Sequence, residues 1–417
     1  MKSLRFASTA LFAGALAVAG TLLGIGRAAD PAKPSSPVVQ PSLAAPLVVH
    51  EWGTFTSFSG SNGVPANFTP NYTDLPDFIY VQAGPDSKSG RLDRDGTVSM
   101  ETPVIYFYSD RDLKASVKVD FPRGWITEWY PFASTAPSPT GKRTPGQSMK
   151  WDVRLLAGES IPIPVAHNPR DENRYYDARA TDSTPLQVEV ARRNEDRNFD
   201  LRGGSVVQRE KFLFYRGVGT FPPPVSLKAM GGGSVRIANS AGAKVDGLVL
   251  VNVQGKKVGF KVLGGLESSG EANATIPAAE GNKAELADAM VKLLIATGLF
   301  EKEARAMVAI WDSAWFGESG TRLLYLVPRT KTDELLPLTI TPKPTDVVRV
   351  LVGRHDFLTP EQEADTDRQV KKGRQARAEL EAAEVELQKI GRFTWQARQQ
   401  AEKRLDASTA RTSAPAP

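Results

Sequence analysis

The sequence predicts an α+β fold that is mainly β, with an antiparallel β-sandwich-rich body, an αα-hairpin and a long C-terminal helix. Stretches such as Ser116 to Phe121 alternate polar and apolar residues, which is the period of a half-buried strand. The chain also contains 35 glycines and 30 prolines, many at turn positions between such stretches. Many short strands separated by turns favour an antiparallel sandwich over a parallel sheet.

The region from Asn282 to Trp315 departs from the strand pattern and predicts the αα-hairpin. Its apolar residues recur at helical spacing, and Gly298 provides a stop between two helices. Asn282 followed three residues later by Glu285 is typical of a capped helix start. The two helices are expected to cover one face or end of the sheet.

The C-terminal helical segment begins at Thr359-Pro360, because threonine caps a helix and proline suits its first turn. Glycines at Gly373 and Gly391 are two places where this helix would break. An apolar stripe along the segment predicts a helix docked on the body. A dimer formed through this helix as a coiled coil is the alternative.

The N-terminus predicts export. Lys2 and Arg5 precede an uncharged apolar run from Phe6 to Gly26, and small residues at Ala28 and Ala29 follow. This order is typical of a cleaved secretory signal peptide, with an uncleaved N-terminal anchor as the alternative. The mature protein is therefore expected in the periplasm or outside the cell, with no membrane span after cleavage.

These features together divide the chain. We predict a signal peptide over residues 1–28, a Pro-rich linker over 29–46, a β-sandwich-rich body over 47–270, an αα-hairpin with returning strands packed on that body over 271–358, a C-terminal helical segment over 359–406 and a disordered tail over 407–417.

Composition excludes several classes of function. The signal peptide holds three of the 52 basic residues, so the remaining 49 face 47 acidic residues, and no nucleic-acid partner is expected. The absence of cysteine excludes disulfides and zinc sites built on thiolates. No Gly-rich phosphate-binding loop follows a strand, which argues against nucleotide binding on a Rossmann or P-loop scaffold.

Titratable residues supply the candidates for catalysis. His50 and Glu51, joined by Glu101 and Glu128, are candidates for a metal- or carboxylate-dependent hydrolase. Adjacent residues on a strand point to opposite faces, so His50 and Glu51 are not expected to share one site. No cofactor is predicted. A divalent metal would need the three histidines, His50, His167 and His355, to converge from distant segments.

Aromatic residues cluster in the first half of the chain. Trp52, Trp125, Trp129 and Tyr130, with Arg216, are candidates for a binding groove that takes a glycan or a peptide, while the pattern favours a sandwich core for the same rings. Arg216 and Arg354 lie at strand ends, where they would clamp an anionic ligand or form salt bridges to Glu128 or Asp356.

Several segments together are similar to a family of exported bacterial proteins to which no activity is assigned. The segments are His50–Thr56 (HEWGTFT), Met100–Tyr108 (METPVIYFY), Glu128–Pro131 (EWYP), Phe212–Gly219 (FLFYRGVG) and Val350–His355 (VLVGRH). The resemblance covers nearly the whole mature chain and implies one inherited architecture, but it implies no catalytic or cofactor residues.

The function that the sequence favours is a non-enzymatic binding or structural module of the cell envelope with an aromatic groove. The hydrolase around His50, Glu51, Glu101 and Glu128 is the alternative.

Overall fold

A computed structural model of the chain describes residues 46–66, 75–76, 78–81, 98–137, 144–158, 160, 162–165, 173–190, 206–375 and 383–412. Strands make up 44% of the structure and helices 28%, and the sheets are mixed or antiparallel. The predicted fold class, α+β and mainly β, is therefore confirmed. The predicted signal peptide, the linker up to residue 45, His167 and the tail beyond residue 412 lie outside the described residues.

The strands form three sheets. They are β1 Val48–Ser59, β2 Tyr80–Val81, β3 Val98–Tyr108, β4 Leu113–Phe121, β5 Gly124–Tyr130, β6 Gln147–Leu155, β7 Leu186–Val190, β8 Val206–Glu210, β9 Leu213–Gly219, β10 Val225–Gly231, β11 Ser234–Asn239, β12 Val245–Gln254, β13 Lys257–Leu266, β14 Glu271–Thr275, β15 Gly320–Val327, β16 Leu338–Thr341 and β17 Asp346–Phe357. The main sheet has the order β13-β12-β15-β17-β1-β3-β9-β5-β2. Two smaller sheets have the orders β16-β4-β6-β7-β8 and β10-β11-β14.

The helices are α1 Lys283–Ala296, α2 Glu301–Asp312, α3 Arg329–Leu335, α4 Pro360–Gln375 and α5 Thr394–Thr412. Helices α1 and α2 are the predicted αα-hairpin, and the Asn282 side chain accepts hydrogen bonds from the backbone N–H groups of Ala284 and Glu285. A π-helical turn, Ser313–Gly317, extends α2. Two 3-10 turns, Arg174–Arg179 and Gln388–Phe393, are also present, and residues 383–387 are helical.

Strand β1 lies at the centre of the main sheet and pairs with strands from both ends of the chain. It runs antiparallel to β3 and parallel to β17. The parallel pair departs from the antiparallel pairing that the sequence predicted. A parallel neighbour needs a long crossover connection, and here nearly the whole fold separates the two strands in the chain.

Alternate residues of β1 face two different cores. Val49 and Phe55 point into a core shared with the two smaller sheets, which cover one face of the main sheet. Trp52 points the other way, into a core formed with α1, α2 and the Arg174–Arg179 turn. The main sheet is therefore covered on both faces, and every residue of β1 beyond Val48 is buried.

The C-terminal segment packs within the chain. Buried Val370 on α4 contacts Leu387 and Ala401, and Arg404 of α5 forms an ion pair with Asp367 of α4. The helical path breaks at Gly391, whose φ of 75° lies in the left-handed region that favours glycine. The apolar stripe of the C-terminal segment is thus buried by contacts within the chain itself. Helix α5 continues to Thr412, beyond the predicted end at residue 406, because no glycine or proline stops it there.

No helix among the described residues has both the length and the apolar character needed to cross a membrane.

Candidate functional site

His50 joins the main sheet to the helical hairpin. Its Nδ1 lies 2.7 Å from Oε2 of Glu303 on α2, and both side chains are buried. The same carboxylate oxygen accepts a hydrogen bond of 2.9 Å from the backbone N–H of Phe300, just before α2. The rings of Tyr108 and Phe300 lie 5.3 and 4.5 Å from the imidazole, measured between centroids. These contacts give His50 a structural role in attaching α2 to β1.

Glu51 points to the other face of the sheet, as strand geometry predicts. Its Oε1 accepts a hydrogen bond of 2.7 Å from the hydroxyl of Tyr215, and its Oε2 one of 2.5 Å from Nε of Arg349. Arg349 stands directly across from Glu51 on β17 and also reaches Asp333. Burial and the Glu51 carboxylate raise the pKa of Tyr215 well above its ordinary value. Glu51 is therefore held in a buried network with Tyr215 and Arg349, which reaches the more exposed Asp333 at its border.

His355 lies on the same face as Glu51, further along the sheet. Ser57 stands opposite it on β1, with Oγ 2.9 Å from Nδ1, and Oγ of Ser59 lies 3.0 Å from Nε2. Burial lowers the pKa of His355 from 6.5 to about 4. His50 and His355 thus occupy opposite faces of the sheet, and His167 lies outside the described residues. Within the described ranges, no group of three or more His, Asp or Glu side chains is placed to hold a metal ion.

The depressed pKa of His355 predicts a pH-dependent stability. The imidazole is neutral in the folded protein down to about pH 4, whereas in the unfolded chain it takes up a proton near 6.5. Its contribution is complete above pH 6.5 and is lost as the pH falls toward 4, which amounts to roughly 3 kcal/mol. Between pH 7.0 and pH 4.5, the free energy of unfolding measured in urea is expected to fall less in His355→Gln than in the wild type. Equal losses in both proteins would contradict this assignment.

The aromatic residues proposed for a groove are buried and divided between the two faces. Trp129 belongs to the core between the sheets, where its ring stacks on Tyr80 at 5.9 Å. Trp52 and Tyr130 belong to the core beneath the helices. Trp125 is 3% exposed. Among the described residues, these rings therefore do not line one open groove.

Two of the proposed carboxylates do come together. Glu128 on β5 stands opposite Arg216 on β9, and β9 lies between β5 and β3, which carries Glu101. Glu101 pairs across β1 with Thr54, on the face of the sheet that carries His50. Glu101, Arg216 and Glu128 are each at most 3% exposed. Non-adjacent segments of the sequence thus place three charged groups side by side on one face.

A second row lies next to the first, on the same face. The strand register places Arg354 on β17 beside Thr56 on β1, Ser99 on β3, Val218 on β9 and Trp125 on β5. Four buried polar atoms of this row, Arg354 Nη1, Thr56 Oγ1, Ser99 Oγ and Trp125 Nε1, have no hydrogen-bond partner in the part of the chain that the structure describes. Buried polar atoms are normally hydrogen-bonded, so a concentration of exceptions needs an explanation.

We call the side chains of the two rows the polar patch: Thr56, Ser99, Glu101, Trp125, Glu128, Arg216 and Arg354. It is the candidate functional site. The sequence supplied Glu101, Trp125, Glu128, Arg216 and Arg354 as candidates. It did not indicate Thr56 or Ser99, because a hydroxyl residue on a strand has no distinguishing local pattern.

An ion-pair network borders the patch. Asp356 accepts two hydrogen bonds from Arg354, and Glu318 accepts another at 2.7 Å. Burial alone would raise the pKa of Asp356, but the guanidiniums of Arg354 and Arg322 outweigh burial and lower it. Burial, with the neighbouring charge of Arg354, lowers the pKa of Arg322 to about 10. The predicted salt bridge between Arg354 and Asp356 is thus present.

The C-terminal segment lies against the patch. Nη2 of Arg392 is 3.1 Å from Oε1 of Glu101, and the ring of Phe393 stacks on Phe58 of β1 at 4.5 Å. The guanidinium of Arg354 lies 5.9 Å from the same Phe393 ring. The break at Gly391 makes this approach possible, because a Cβ there would lie 2.6 Å from the backbone oxygen of Ser319.

Comparison with solved structures finds weak similarity to the yeast delta-COP-I mu-homology domain. Complexed with the Dsl1 WxWxV peptide, it has a TM-score of 0.26 and 6% identity, over 75% of this chain and 98% of that chain. The domain by itself has a TM-score of 0.27 and 6% identity, over 75% and 97%. Red sea bream transglutaminase has a TM-score of 0.14 and 8% identity, over 69% of this chain and 32% of that chain.

At these TM-scores the similarities carry no argument about this chain. No family model and no curated protein matches its sequence.

Proposed function

We propose that this chain is an exported, non-enzymatic binding module of the bacterial cell envelope, and that its ligand binds at the polar patch. Export rests on the order of charged, apolar and small residues over 1–28. The assignment to the envelope rests on the resemblance to exported bacterial proteins.

The observation that carries the binding function is the row of buried polar atoms that have no partner among the described residues. Leaving such an atom unsatisfied costs about 1–3 kcal/mol. Four of them lie in one row, three of these on the adjacent strands β17, β1 and β3, and a purely structural sheet would avoid their cost with apolar residues. A ligand that supplies the missing hydrogen bonds would offset this cost.

The other candidates for chemistry have structural partners. His50 is bonded to Glu303, Glu51 to Arg349 and Tyr215, and His355 to two serines. These residues lie on two faces of the sheet, which argues against a catalytic group centred on His50 and Glu51.

One observation keeps a carboxylate-dependent hydrolase as a second candidate, because Glu101 and Glu128 share one face. Two strand spacings separate their backbones by roughly 10 Å, and glycoside hydrolysis uses a pair of carboxyl groups. Glu101 is, however, paired with Arg392, and Glu128 stands opposite Arg216. Carboxylates held beside guanidiniums are typical of structural networks, so we place binding first.

The test is a ligand screen on the exported protein, using glycan and peptide arrays, followed by titration of any positive compound. We expect at least one ligand to bind without being altered, and Ser99→Ala to weaken it. Product formation over time that is abolished in both Glu101→Gln and Glu128→Gln would contradict the non-enzymatic proposal and support the hydrolase.

A further inference from the structure

We infer that the ligand of the polar patch is an uncharged saccharide, held along the row Arg354, Thr56, Ser99 and Trp125. This inference rests on the proposed binding function and narrows it to one class of ligand. It is argued from the hydrogen-bonding groups of the row, the charge of the patch and the place of the row in the sheet.

The available groups suit the hydroxyls of a sugar. Arg354 Nη1 and Trp125 Nε1 can only donate hydrogen bonds, whereas the hydroxyls of Thr56 and Ser99 both donate and accept. Sugar hydroxyls also donate and accept, so one saccharide can satisfy all four atoms at once. The indole also offers an apolar ring beside these polar groups.

The charges of the patch and its border cancel. Among the described residues, four arginines, Arg216, Arg322, Arg354 and Arg392, are matched by four carboxylates, Glu101, Glu128, Glu318 and Asp356. Arg354 itself is already bonded to two of those carboxylates. A charged ligand buried here would need a counter-charge that the described residues do not supply, whereas an uncharged ligand needs none.

The position of the row argues against an extended peptide. A peptide that joins a sheet does so at an exposed edge, where backbone groups are free to pair. The row crosses β17, β1, β3, β9 and β5, which are hydrogen-bonded to one another in the main sheet. Its recognition groups are therefore side chains on a face. From Arg354 on β17 to Trp125 on β5 the row crosses four strand spacings, about 19 Å, a length that suits a short oligosaccharide.

Access to the row requires movement of the C-terminal segment. Arg392 and Phe393 hold that segment against Glu101 and Phe58, and the four unpartnered atoms are buried beneath the surface. The saccharide thus binds a state in which this segment has moved away, and part of its binding free energy is used to shift that equilibrium.

Two threonines on β1 provide a matched pair of variants. Thr54 and Thr56 lie on the same face, but Thr54 Oγ1 donates a hydrogen bond of 2.7 Å to the Val352 carbonyl, whereas Thr56 Oγ1 has no partner among the residues that the structure describes. Thr56→Val is expected to leave the Tm of the free protein unchanged or raised. Thr54→Val is expected to lower it by about 1–3 °C, since it breaks a made bond.

Isothermal titration calorimetry of the exported protein tests the inference. The neutral probes are cellotriose, triacetylchitotriose, maltotriose and xylotriose, and the charged probes are trigalacturonate and two seven-residue peptides, one acidic and one basic. We expect a neutral trisaccharide to bind at least tenfold more tightly than any charged probe. Thr56→Val and Ser99→Ala should each weaken that binding about tenfold, and Thr54→Val should leave it unchanged.

The outcomes separate the two proposals. Tightest binding of trigalacturonate or a peptide, with the same sensitivity to Thr56→Val, overturns the assignment of an uncharged saccharide and leaves the binding function standing. Binding of a neutral trisaccharide that neither Thr56→Val nor Ser99→Ala alters overturns the assignment of the row. Failure of every probe here and on the arrays overturns both proposals.

Discussion

Replacing Arg349 with methionine is expected to lower the free energy of unfolding by about 3–5 kcal/mol. The guanidinium pairs with the Glu51 carboxylate, and both side chains are buried between the sheets. Methionine fills a similar volume, but the carboxylate then keeps only the hydrogen bond from the Tyr215 hydroxyl among those that the described residues form with it. A buried charge without its counter-charge is among the few causes of so large a loss from one substitution. Urea unfolding monitored by tryptophan fluorescence measures the change.

The double variant Glu51→Gln with Arg349→Met is the control. Glutamine removes the charge, while its amide oxygen still accepts from the hydroxyl of Tyr215, so most of the lost stability should return. A double-mutant cycle then separates the coupling of the pair from the loss of packing. If Arg349→Met were as stable as the wild type to within about 1 kcal/mol, the ion pair would not hold the sheets together as inferred.

This ion pair also shows where sequence reasoning stops. Strand alternation correctly separates His50 from Glu51, because the period of two is a local property of the chain. The partner of Glu51 is not local, since Arg349 is 298 positions away and approaches through the parallel pairing of β17 with β1. Nothing in the pattern of either strand specifies which of many strands becomes its neighbour.

More of the helical structure than of the strand pairing could be predicted from the sequence, because the signals for helices are local. The Asn282 cap, the stop at Gly298 and the break at Gly391 each depend on residues a few positions apart.

The polar patch is an intermediate case. Its charged members stand out by residue type, but the difference between Thr54 and Thr56 lies in whether a carbonyl of the neighbouring strand is within reach.

Breaking the His50–Glu303 pair is the second change expected to have a large effect on stability. His50→Leu is expected to lower the free energy of unfolding by about 3 kcal/mol or more, because it leaves the fully buried Glu303 carboxylate without the imidazole. The backbone N–H of Phe300 remains as a donor to that carboxylate. The loss should fall first on the αα-hairpin, since this pair attaches α2 to the sheet. The substitution should therefore increase the rate of hydrogen exchange more in α2 than in β17.

Removing the charge as well should restore most of the stability. In the double variant His50→Leu with Glu303→Gln, the glutamine oxygen still accepts from the Phe300 N–H and no charge remains buried. His50→Leu with wild-type stability and unchanged exchange in α2 would show that the pair does not fasten the hairpin. A loss that the second substitution does not reduce would assign the effect of His50 to its packing against Tyr108 and Phe300, and the charge would then contribute little.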